Sequence, residues 1–157
     1  MSDKSYPAIL KEYKLLDWPT LLIGWKNGFA TRRDIIDYAV HQISNHRNEK
    51  SVIYLASCEA EDDDEVKKYI EQLIDRQKIP FPDIEAICLD RWRFAKLIAL
   101  DHAELSDEEK IEELQNIYVQ FEYPDDMSDC SIYSQNGLDP LLAMKNTISS
   151  LKQNLGI

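Results

Sequence analysis

Carboxylates are the side chains most densely set for chemistry in this sequence. Glu59, Glu61, Asp62, Asp63, Asp64 and Glu65 form one run, and Asp101, Glu104, Asp107, Glu108, Glu109, Glu112 and Glu113 a second; Glu122, Asp125, Asp126 and Asp129 make a third. A crowded acidic run suits three roles: ligating calcium, decorating a helix amino end, or docking lysines and arginines of a partner. The alternating ligands and turn-forming glycine of an EF-hand loop are missing, which removes the first. The other two stay open. Solvated carboxylates stabilise the positive end of a helix dipole, and the same groups would form one broad patch for a basic protein if two runs met in the fold. Glu59, Glu61, Asp62, Asp63, Asp64, Asp125 and Asp126, with Tyr123 beside the third run, are the candidate partner contacts. An exposed tyrosine near carboxylates can anchor an interface.

The remaining reactive residues point away from an enzyme. His41 and His46 are five positions apart, which places them on different sides of a helix, where metal ligands would want i and i+4. Cys58, Cys88 and Cys130 are odd in number and widely separated, so neither a disulfide framework nor a zinc ligand set is suggested. His102, with Asp101 and Glu104 nearby, is the one candidate general base for a small hydrolase or transferase, but neither a nucleophile nor an oxyanion donor accompanies it. Phosphate-cradling glycine loops, a G-x-S-x-G elbow and paired CxxC motifs are all missing. The sequence therefore assigns no catalytic, metal or cofactor residue.

These side chains must be positioned by helices. The 157 residues include only 4 glycines and 6 prolines with 44% hydrophobic content, which is the size of one ordinary domain and too few turn residues for an all-β protein. A single compact all-α domain, residues 1–157, of about six to eight helices is expected, packed as successive hairpins around a central helix near 84–103. That helix, IEAICLDRWRFAKLIALDH, is apolar over most of its girth through Ile84, Ile87, Cys88, Trp92, Ala95, Ile98 and Ala99, and leaves Asp90, Arg91, Arg93, Lys96 and Asp101 as a narrow polar strip facing water.

Punctuation fixes the other elements. Proline in the opening turn predicts helices after Tyr6 and after Asp17-Trp18, and Thr31 with Asp34 caps a third whose stripe is Ile35, Ile36, Ala39, Val40 and Ile43. Val52 to Ala56 is read as helix, Asp62 to Asp64 as the start of a helix ending before Pro80, and Ser106 to Glu109 as a capping box. The helix that box opens ends at Tyr123-Pro124. Ser131 to Tyr133 is a candidate extended piece in an irregular segment, and Asp139-Pro140 opens a last helix.

The formal charge is −11, with +2 in residues 1–50 and −13 in the rest. Such a field repels nucleic acid and anionic membranes while steering a basic protein inward, although acidity alone also serves solubility. With no signal core and no long apolar run, a cytoplasmic protein is expected.

Two stretches carry a family resemblance. Leu21 to Gly28 leading into Asp34 to Ala39, and Ile111 to Asp126 with its Tyr118, Phe121, Tyr123 and Pro124, resemble a small bacterial all-helical family of unknown function. Its members look like immunity proteins encoded beside polymorphic or contact-dependent-inhibition toxins. The resemblance covers most of the chain, although the segment 128–135 departs from it. It implies a non-enzymatic protein that binds and blocks one cognate toxin domain. A nuclease is the toxin class that physical reasoning favours, since it must present lysines and arginines to phosphates that carboxylates can displace.

Overall fold

The computed structural model describes residues 5–47, 49–57, 63–76, 81–135 and 137–157, excepting the side chains of 76 and 81–83. The fold is all-α: the described residues form helices α1 Tyr6–Glu12, α2 Trp18–Lys26, α3 Arg32–Ser44, α4 Lys50–Ser57, α5 Asp63–Arg76, α6 Phe81–His102, α7 Asp107–Gln120 and α8 Pro140–Leu155, with a 3₁₀ turn at Asp125–Cys130. Among them no helix is long and apolar enough to cross a membrane.

Side chains predicted to start helices do so. Asp17 accepts the Thr20 N–H at 2.9 Å, Ser106 accepts that of Glu109 at 3.2 Å and Asp139 accepts that of Leu141 at 3.1 Å. At α3 the reciprocal box is complete, with the Thr31 hydroxyl accepting from Asp34 N–H and the Asp34 carboxylate accepting from Thr31 N–H. Each bond satisfies a helix-end donor that would otherwise lack a partner, worth about 1 kcal/mol. Val52 to Ala56 lies within α4, as read.

Backbone contacts divide the chain into two compact units. One, Leu15–Leu89, contains α2 to α5 and the first turns of α6. Here α4 packs between α3 and α5, and α2 lies on α3 and α5. Ile23 of α2 meets Ile84 and Cys88 of α6, and the buried Thr20 hydroxyl donates to Cys88 Sγ at 3.6 Å. The Tyr38 hydroxyl donates to the Leu16 carbonyl at 3.2 Å. Burial and then Asp17 push that phenol's pKa up, with Arg47 opposing.

The other unit, Met1–Lys14 with Asp90–Ile157, contains α1, the later turns of α6, α7, the 3₁₀ turn and α8. Trp92, Phe94, Ala95 and Leu97 are fully buried. Tyr13 meets Phe94 edge-on at 5.0 Å, and α8 packs on α7 and the 3₁₀ turn.

Three local expectations are corrected. The long helix begins at Phe81, not at 84, because proline at position 82 is accepted in a first turn, where its missing N–H has no intrahelical role. Ile87 is 46% exposed despite its helical phase, whereas Arg93, placed on the wet strip by that phase, is 5% exposed. Ser131 to Tyr133 forms a turn, closed by Ser134 N–H to the Ser131 carbonyl at 3.1 Å, with no extended piece.

Candidate functional site

The acidic residues singled out by sequence fall in different settings. Glu59, Glu61 and Asp62 lie outside the described residues. Asp63 and Asp64 stand exposed in the first turn of α5. Asp63 accepts a 2.5 Å hydrogen bond from Arg32 Nη1 while its own side chain is 65% exposed, so this bridge is solvent-screened and contributes little stability. It borders an open groove of about 980 Å³ that Trp25, Thr31, Arg33 and Ser57 also line. The Ser57 hydroxyl is spent on the Ile53 carbonyl.

Asp125, Asp126 and Tyr123 come together at the end of α7. The helix stops at Gln120, and the two residues after the Phe121 cap, Glu122 and Tyr123, take left-handed φ values of 61° and 56°. Neither is a glycine, so each costs about 1 kcal/mol of backbone strain. Their N–H groups compensate by donating to Val119 and Tyr118 carbonyls at 3.0 and 2.9 Å. The turn reverses the chain and leaves Tyr123 60% exposed, its ring edge-on to Tyr118 at 5.2 Å. Pro124 then starts the 3₁₀ turn that carries both aspartates.

Arg93 of α6 holds that turn from beneath. Its guanidinium grips Asp126 with both terminal nitrogens, Nη1 on Oδ1 and Nη2 on Oδ2 at 2.9 Å, and Nη2 also reaches Asp90 at 3.1 Å. Burial alone would lower its pKa, but Asp126 and Asp90 together outweigh that and the net shift is upward. This fork explains the buried arginine: a planar cation can be withdrawn from water when its donors meet a carboxylate pairwise. Asp126 is thus committed within the chain, with its side chain 33% exposed, while Asp125 faces water. From α8, the Thr147 hydroxyl donates to the Asp126 carbonyl at 3.0 Å. From α7, the Gln115 amide donates to the Cys130 carbonyl at 2.9 Å and accepts from Ile132 N–H at 3.2 Å.

Sequence reasoning missed Arg93, Gln115 and Thr147 as supports, and the exposure of Val119 (54%) and Ile132 (53%). The usable signal was the place of Arg93 between Trp92 and Phe94 in an apolar helix that also carries Arg91. Trp18 is core, Trp25 and Tyr118 are half-buried, and Tyr133 is 86% exposed.

The His102 side chain is 72% exposed, with Nε2 4.0 Å from Asp101, and His41 Nε2 meets the Asn45 amide at 3.1 Å. Among the described residues no group of three or more His, Cys, Asp or Glu is placed to hold a metal ion.

Cys88 and Cys130 are buried thiols. Burial pushes the Cys130 thiol's pKa up, opposed by its Thr147 hydrogen bond and assisted by Asp126 and Asp129, so its reactive thiolate is disfavoured. In a Cys58→Ser variant, Ellman's reagent should find almost no thiol under native conditions and two after denaturation. Rapid native labelling would contradict the burial.

Residues 8–155 match the model of a family described as an uncharacterized protein conserved in bacteria (DUF2247). No curated protein and no solved structure matches the chain.

Proposed function

We propose that this chain, which belongs to the DUF2247 family of proteins conserved in bacteria, is a non-enzymatic cytoplasmic immunity protein that binds and neutralises a cognate toxin domain. The nuclease class fits best, because carboxylates offered by this chain would compete for the lysines and arginines that a nuclease presents to phosphates.

The observation that carries this reading is the placement of Tyr123. A large aromatic is held in water on strained backbone, beside exposed Glu122 and Asp125, in a stretch with no Lys, Arg or His between Lys110 and Lys145. Strain retained at a surface turn is characteristic of segments selected for recognition, and aromatic anchors ringed by charge supply slow release and fast encounter respectively. The Asp63 and Asp64 carboxylates, with Glu59, Glu61 and Asp62, would add to the steering field.

The test is co-expression with the product of the neighbouring upstream gene. Growth should be restored and the two proteins should co-purify, and His102→Ala should protect as well as the parent chain. Co-purification without recovery of growth would overturn neutralisation in favour of an adaptor role. Loss of protection in His102→Ala, with the fold intact, would favour an enzyme.

A further inference from the structure

Val119, Tyr123, Ile132 and Tyr133 are large side chains with between 53% and 86% of their surface in water, whereas residues of this kind are ordinarily withdrawn from it. The fold gathers them. Gln115 fastens the backbone at Cys130 and Ile132 to α7, and Val119 follows Gln115 by one helical turn on the same face. Tyr123 closes that end of the helix, bonded back to the Tyr118 carbonyl. The Ser131 hydroxyl accepts the Tyr133 N–H at 3.1 Å, which fixes the backbone from which Tyr133 projects. Arg93 and Thr147 anchor the intervening 3₁₀ turn. The face is therefore ordered before any partner arrives, so little conformational entropy remains to be lost on binding.

Its charge names the complement. Glu122 and Asp125 are exposed on either side of Tyr123 and Pro124; Arg93, which reaches this turn from α6, is buried against Asp126 and Asp90, and Lys96 of the same helix bonds the Gln120 side-chain oxygen. Exposed tyrosine faces next to carboxylates suit a planar guanidinium, which stacks on the ring and bonds an oxygen with its edge. An ammonium gains less from both contacts.

Resting on the proposed function, the geometry points to the Val119–Tyr133 face as the docking surface for the partner protein, taking arginine side chains of that partner against Tyr123 and Tyr133 and onto Glu122 and Asp125.

The full chain, labelled with nitrogen-15, is titrated with a synthetic peptide of alternating arginine and serine and with its lysine counterpart. The arginine peptide should shift the amides of 119–133 and bind at least about fivefold more tightly than the lysine peptide, and Tyr123→Ala and Tyr133→Ala should each weaken it about tenfold with other amides unmoved. Equal binding of both peptides, shifts spread over the first turns of α5 and α7, or no binding at millimolar peptide would overturn it. So would concentration-dependent shifts of the same amides without peptide, which would assign the face to a second copy. Failure here is separable from failure of the immunity reading. Co-expression rescue that survives both tyrosine substitutions removes this face and leaves neutralisation standing, whereas arginine-selective binding without rescue does the reverse.

Discussion

Replacing Arg93 by Ala should lower the stability of the fold by about 3 kcal/mol, at the lower end of what breaking a buried ion pair costs. The Asp126 side chain is one-third exposed, so water can partly rehydrate it once its partner is gone. The deficit should be nearly constant between about pH 6 and about pH 9. Arg93 has a folded pKa raised above its unfolded one, so its contribution is complete below the unfolded value and fades only as pH climbs through the still higher folded value. Arg93→Lys should recover only part of the loss, because an ammonium keeps the charge but cannot fork onto both oxygens of Asp126. Urea denaturation of the three proteins measures this. A loss below about 0.5 kcal/mol, the range typical of surface substitutions, would mean that the fork is not held in solution.

Association with the partner should slow by roughly ten- to a hundredfold when salt is raised from low to well above physiological ionic strength, while dissociation changes far less. The expectation follows from a net charge of −11 opposite a basic surface, with apolar and aromatic contacts governing release. Stopped-flow or surface-based kinetics across a salt series would separate the two rates. A flat association rate would remove charge steering and leave shape alone to explain recognition.

How much of this was legible in the sequence depends on the distance over which each feature is written. Helix starts were readable because a cap and the N–H that donates to it lie within three residues: Asp17 with Thr20, Thr31 with Asp34, Ser106 with Glu109. The long apolar helix was readable from its length and composition. The burial of Arg93 was not, since its partner Asp126 lies 33 positions away and helical phase alone puts arginine in water. Nor was the reversal at Glu122 and Tyr123. Neither residue favours left-handed backbone, and the compensation comes from hydrogen bonds that form only once the helix has ended. The candidate acidic residues were chosen by density, which ranks Asp125 and Asp126 alike. Only the fold shows that Asp126, exposed like Asp125, is gripped by an arginine.

The central claim is that exposed carboxylates silence a basic toxin, and protection by a charge-neutralised protein tests it most directly. Asp63→Asn, Asp64→Asn, Glu122→Gln and Asp125→Asn are combined, leaving Asp126 and its arginine untouched so that helicity and melting temperature can be verified as unchanged. Cells co-expressing toxin and this variant should fail to grow where the parent chain restores them. Undiminished protection by the folded variant would contradict the account.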